Sequence, residues 1–249
     1  MKYSNTIISF LFVLLILSTA LQAEASDYLN EVVRANSLYS EKHYAQSAHA
    51  YEVLIEEGVR NGHLFYNLGN AYIRMGKTGS AIYNYLRATK LIPRDENLAA
   101  NLKFAIQQTR DRIEPPPLGT LNILFFWVND FSFNELVFFS IGLNFIFWSS
   151  LALWMYFPSL KLARNTLLFV LLLSIISIAV KIKNESDLKL GVVIAENIEV
   201  KSGHTVDTIT LFQLHEGALV TITGKHNDWL EVRLNDKQKG WVPQNLLGT

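Results

Sequence analysis

The chain is expected to fold as a multi-domain α + β protein: an all-α helical-repeat solenoid, a transmembrane helical hairpin and a small all-β barrel. Three observations predict this. Apolar residues recur at helical spacing from about Asp27 to Glu114. An uncharged run of 22 residues from Leu136 to Phe157 is long enough to cross a bilayer. Beyond Leu188 the tail alternates apolar and polar residues in short runs divided by Gly, Asn and Asp.

Composition narrows the chemistry. Of 249 residues, 50% are hydrophobic and 18% charged, a greasy balance that fits membrane segments. The 22 basic and 22 acidic residues cancel, and no run of five like charges occurs, so nucleic acid is not an expected partner. The absence of cysteine excludes disulfides, thiolate catalysis and Cys-based zinc sites.

The N-terminal segment supplies location. Lys2, the apolar run Ile7 to Leu17 and small residues at Ala23 or Ala25 fit a signal peptide over residues 1–25. An uncleaved anchor is the alternative, although Ile7 to Leu21 is short for a span of about 20 residues.

The helical part, residues 27–113, superposes on itself when shifted by 34 positions. Ala35-Asn36 falls on Gly69-Asn70, Leu38 on Tyr72, Ser47 on Ala81 and Tyr51 on Tyr85. The expected units are repeats at about 28–61 and 62–95, followed by a capping helix over 96–112 with Leu98, Leu102, Ala105 and Ile106 on one side. In the second copy Phe65-x-x-Leu68-Gly69-x-x-Tyr72, then Ala81-x-x-x-Tyr85, Ala88 and Pro93 resemble the tetratricopeptide pattern, with Phe65 and Tyr85 standing where Trp and Phe are usual. The first copy keeps Ala35 and Ser47 but lacks the terminal Pro. Each hairpin leaves an apolar face that a neighbour must cover, and the small residues let helices approach. That resemblance implies peptide binding on a concave face by Asn36, Asn70 and Arg74; the alternative is that both asparagines are simply polar groups on an exposed face. Phe104 occupies the third equivalent position, which disfavours a clamp for a free carboxyl terminus.

"EPPPLG", Glu114 to Gly119, breaks the helical pattern and opens a linker and interfacial segment over 114–133 that contains Trp127. Spans are expected at 136–157 and 160–182, with Pro158 at the turn. Lys161 and Arg164 in the turn oppose Arg110, Arg112, Lys181 and Lys183 at the other end, so charge does not orient the hairpin. Export of the helical part would place both soluble parts on the periplasmic side of a bacterial inner membrane. Asn144, Ser140, Ser149, Ser174 and Ser177 are expected to hydrogen-bond between the two spans.

The tail, residues 188–249, resembles the bacterial Src-homology-3-like (SH3-like) domain through Gly191-Val192-Val193, Leu214-His215-Glu216-Gly217, Trp229-x-x-Val232 and Gly240-Trp241-Val242-Pro243. The resemblance implies binding of cell-wall peptides (peptidoglycan) or proteins by an aromatic surface, for which Trp229 and Trp241 are candidates. Both tryptophans have a second reading as core residues of so small a barrel, and for Trp241 this is the one expected.

No catalytic constellation emerges. Ser186-x-x-Lys189 matches a nucleophile pattern by spelling in a charged linker without partner motifs, and His43, His49, His204, His215 and His226 lack the i, i+4 pairing with a Glu of a zinc protease and are expected on the surface. The expectation is a non-enzymatic protein with no metal and no cofactor. The order of segments resembles the Bacteroides aerotolerance family, in particular its BatE-type members. That resemblance implies a scaffold working beside membrane proteins with von Willebrand A domains in an aerotolerance or envelope-stress complex.

Overall fold

The computed structural model describes residues 28–111, 120–187, 189–235 and 238–249. The expected signal peptide and the run Glu114 to Gly119 lie outside them. Among the described residues the fold is mixed α and β, with eight α-helices followed by a seven-stranded antiparallel sheet.

The first five helices are α1 over 28–40, α2 Tyr44–Glu56, α3 Gly62–Arg74, α4 Thr78–Leu91 and α5 Glu96–Gln107. Side chains start two of them: Asn61 accepts from the His63 and Leu64 amides ahead of α3, and Asp95 accepts from the Leu98 amide ahead of α5. The turns after α1 and α3 share one geometry 34 residues apart. Lys42 and Gly76 take φ of 66° and 76°, while His43 N–H reaches the Leu38 carbonyl at 2.8 Å and Lys77 N–H the Tyr72 carbonyl at 2.9 Å. A left-handed residue closing a six-to-one hydrogen bond ends a helix abruptly and folds the next one back on it.

The small residues sit where helices meet. A Cβ on Gly69 would lie 2.5 Å from the Tyr85 ring, so that ring fills the hollow the glycine leaves. In the equivalent place one repeat earlier, buried Ser47 donates to the Ala35 carbonyl at 2.8 Å. Ala35, Ala81 and Ala88 are fully buried, Leu68 nearly so, and half-buried Pro93 stands just past the end of α4.

The membrane-like unit comprises α6 Thr120–Leu124, a 3-10 turn Phe126–Asp130, α7 Phe133–Tyr156, a 3-10 turn Pro158–Leu160 and α8 Lys161–Asp187. A capping box starts α7: the Ser132 hydroxyl accepts from the Glu135 amide and the Glu135 carboxylate accepts from the Ser132 amide. With 24 and 27 residues, α7 and α8 are about 36 and 40 Å long at 1.5 Å per residue, and both are apolar enough to cross a membrane. Trp127 and Val128 pack on α8 rather than standing apart from it: the indole donates to the Ser177 hydroxyl at 3.2 Å, and Lys181 Nζ donates to the Val128 carbonyl.

The expected hydroxyl bonds between spans are absent among the described residues. Ser140, Ser149, Ser174 and Ser177 each donate to a carbonyl three or four residues back in their own helix. A serine hydroxyl in an apolar setting reaches that carbonyl without needing any register with a neighbour. Asn144 is exposed and bonds to none of them.

The sheet runs in the order β3 Thr210–His215, β2 Asn197–Lys201, β6 Gln238–Pro243, β5 Trp229–Asn235, β4 Leu219–His226, β1 Leu190–Val193, β7 Leu247–Gly248. It is open, which corrects the expected closed barrel. Its last strand is only two residues long, and α4 abuts it: the Tyr83 ring lies against Gly248 and its hydroxyl donates to the backbone oxygen of Thr249 at 2.9 Å. A helix that covers a short edge strand removes the need to pair it. The sheet core is Val193, Ile198, Val200, Leu214, Ala218, Val220, Leu230, Val232, Val242 and Leu247.

Candidate functional site

Two surfaces can receive a partner, and a third set of contacts joins them. The first lies where α1, α3 and α5 adjoin. Tyr51 Oη donates to Asn36 Oδ1 at 2.5 Å, and Tyr85 Oη donates to Asn70 Oδ1 at 2.7 Å. Asn67 Nδ2 donates to the same Asn36 oxygen at 3.2 Å, as Asn101 Nδ2 does to Asn70 at 3.1 Å. All three members of each triad are spaced by 34 residues from their counterparts. With both Oδ1 atoms held, the Asn36 and Asn70 Nδ2 donors have no partner among the described residues. Burial raises the Tyr51 and Tyr85 phenols above their ordinary pKa, so they remain donors throughout the physiological range.

Arg74 is exposed, donates to the Tyr44 hydroxyl at 3.0 and 3.1 Å and stacks over that ring at 5.2 Å. It has no carboxylate partner among the described residues, so its charge is uncompensated locally. Tyr72 serves packing: its hydroxyl donates to Glu52, and burial first, then that carboxylate, raises its pKa. Phe104, one repeat beyond Asn70, is 56% exposed, so the amide ladder ends in an apolar group. Sequence reasoning named Asn36, Asn70 and Arg74 and missed Asn67, Asn101 and Tyr44. The same 34-residue comparison, carried into α5, would have paired Asn67 with Asn101.

The second surface is the sheet face opposite the core. In β5 and β6 inward positions fall to Leu230, Val232, Gly240 and Val242, so the two-residue period turns Trp229, Glu231, Trp241 and Pro243 outward. Trp241 is therefore half-buried on the outer face, which corrects its expected place in the core. Its inward neighbour must be a glycine, because a Cβ on Gly240 would lie 2.6 Å from both the Lys201 carbonyl and Val200. Pairing sets Trp229 opposite Pro243 and His226, and Trp241 opposite Glu231 and Lys201. His204, exposed in the β2–β3 connection, stacks at 4.0 Å between ring centroids on His226 and at 5.5 Å edge-on to Trp241.

His204 and His226 lie 22 positions apart, and no spacing in the sequence signals their contact. The aromatic cluster is framed by two ion pairs. Lys239 lies 2.8 Å from Glu231 and Lys201 2.6 Å from Glu199, and each lysine holds its carboxyl below the ordinary glutamate range. Such a face can stack planar groups and hydrogen-bond their edges.

The third set of contacts fixes the helices to the sheet. Val192 joins the helical core, Gly79 N–H donates to Glu216 Oε1 at 2.9 Å, and Asp111 accepts from the His215 amide at 2.6 Å and faces its ring at 3.1 Å. A cleft of about 400 Å³ lies along this seam, with Tyr72, Tyr83, Asn84 and Arg87 on one wall and Ile194 and Leu247 on the other. Among the described residues no group of three or more His, Cys, Asp or Glu could hold a metal ion.

No curated protein matches the sequence. Residues 207–248, which span β3 to β7 and carry Trp229, Gly240, Trp241 and Pro243, match the family model of the bacterial SH3 domain.

Proposed function

We propose that the protein is a non-enzymatic membrane-anchored scaffold whose helical hairpins are tetratricopeptide repeats holding an extended segment of a partner protein. The observation that carries this reading is the duplicated triad. Two amides, 34 residues apart and locked by Tyr51 and Tyr85, offer unpaired N–H donors on one face, as reading the carbonyls of an extended peptide requires. Arg74 adds a positive charge and Phe104 an apolar contact on adjoining helices. The partner suggested by the order of segments is a membrane protein with a von Willebrand A domain, in an aerotolerance or envelope-stress complex. The two apolar helices would anchor the chain in the bacterial inner membrane with both soluble parts in the periplasm. Asn70→Ala combined with Arg74→Ala is expected to abolish co-purification of that partner while the far-UV circular dichroism stays unchanged. Retained co-purification defeats the proposal.

A second reading is favoured by the match to the bacterial SH3 domain together with the outward Trp229, Trp241 and His204. Here the sheet binds cell wall or a protein and the chain acts as a tether or sensor. The detergent-solubilised full chain should then pellet with purified peptidoglycan, and Trp241→Ala should release it. Failure of the unmodified chain to pellet removes this reading.

A further inference from the structure

Asn144 is the twelfth of the 24 residues of α7, and between Leu136 and Tyr156 it is the one side chain with an amide or a charge, among apolar and small residues and three serines. It is exposed, and its amide makes no hydrogen bond among the described residues. Leu136 and Ser140 are the buried residues of α7, and Asn144 sits on the adjoining flank, with Ile141 and Trp148 at helical spacing and each 59% exposed. In hydrocarbon neither water nor lipid tails can satisfy a primary amide, so a bare Asn at mid-span favours association with another helix that can.

We infer that the Ile141–Asn144–Trp148 flank of α7 pairs two copies of this chain in the membrane. The inference rests on the membrane reading of α7 and α8. The chemistry of the amide selects a second copy. It carries two donors and an acceptor, so two of them can bond reciprocally. Two chains inserted the same way and related by a two-fold axis along the membrane normal bring each residue to the depth of its own counterpart. A mid-span Asn thus meets a mid-span Asn without any further matching of sequences. Ile141 and Trp148 flank the pair above and below and exclude lipid from it.

The protein contains no cysteine, so single introduced cysteines report contacts cleanly. Membranes holding the full chain are first washed at alkaline pH, then oxidised. Ile141→Cys is expected to give a disulfide-linked homodimer. Ile146→Cys, exposed on the opposite side of α7, is not. Adding Asn144→Leu to Ile141→Cys should weaken dimerisation about 3- to 30-fold, the range seen for single polar contacts between membrane helices, whereas Asn144→Gln should preserve it. Retention in the membrane with no Ile141→Cys dimer, equal crosslinking from both faces, or indifference to Asn144→Leu would each overturn the pairing alone. Release of the chain by the alkaline wash would overturn the membrane reading and the pairing with it.

Discussion

Replacing Gly79 by Ala asks whether the helices and the sheet form one body. Gly79 is the second residue of α4, a position where helix propensity alone favours alanine by up to about 1 kcal/mol. The structure opposes that sign. An added Cβ would lie 2.2 Å from the Val193 carbonyl oxygen, 2.9 Å from Glu216 Cγ and 3.1 Å from the Gly217 amide nitrogen. Carbon and carbonyl oxygen normally approach to about 3.3 Å, so the sheet would have to retreat by roughly 1 Å.

Two of the three obstacles are backbone and cannot rotate away. Overpacking of this kind costs about 1–3 kcal/mol. The retreat also stretches the 2.9 Å bond by which the Glu216 carboxylate caps the first turn of α4. With the weakened Glu216 bond, worth up to about 1 kcal/mol, offsetting the propensity gain, the seam should weaken by about 1–3 kcal/mol, opening roughly 5 to 150 times more often. Hydrogen–deuterium exchange read by mass spectrometry is the assay. Peptides over 76–84 and 210–218 should exchange faster, the second because the His215 amide depends on Asp111 across the seam, while peptides within α2 should not change. Unchanged or slower exchange at both seam peptides, with a raised thermal midpoint, would refute the reasoning.

Other consequences follow the same contacts. Tyr85→Phe removes the hydroxyl bound to Asn70 and should destabilise the protein by about 1 kcal/mol in urea melts, while weakening partner capture less than Asn70→Ala does. Burial raises the Tyr51, Tyr72 and Tyr85 phenols, so the stabilisation that comes from keeping them neutral is complete below about pH 10 and is lost as pH climbs toward their folded values. Absorbance at the phenolate band should therefore rise late and together with loss of helical circular dichroism. Glu199 and Glu231 shift the opposite way. What Lys201 and Lys239 contribute through them is present above about pH 4 and disappears as pH falls through their lowered values, and Lys239→Ala should flatten the acid limb of a melting-temperature profile.

Local features were legible in the chain because short-range physics fixes them. The 34-residue spacing of Ala35 and Gly69, Ser47 and Ala81, and Tyr51 and Tyr85 marks points where helices must approach, and the structure sets the Ser47 hydroxyl on the Ala35 carbonyl and the Tyr85 ring against Gly69. Hydropathy marked α7 and α8, and the two-residue period marked the strands. Reading was weaker where one residue admits two surroundings. A tryptophan in a small β domain is core or surface according to which side of the pleat it takes. That depended on Gly240 facing inward against the Lys201 carbonyl, a contact 39 positions away. Serines in apolar helices offered either a neighbour or their own backbone, and the nearer acceptor prevailed.

Helical periodicity, an uncharged span and strand alternation are properties of runs of ten to thirty residues, and the linear order of side chains is enough to specify them. The meeting of Gly79 with Glu216, of Asp111 with His215 and of His204 with His226 and Trp241 is not written in any such run. Partners up to 137 positions apart carry no mutual period, and their contacts appear only once two separately formed surfaces settle against each other. The open edge of the sheet, the cleft along the seam and the bare amide of Asn144 likewise depend on what packing covers and what it leaves uncovered.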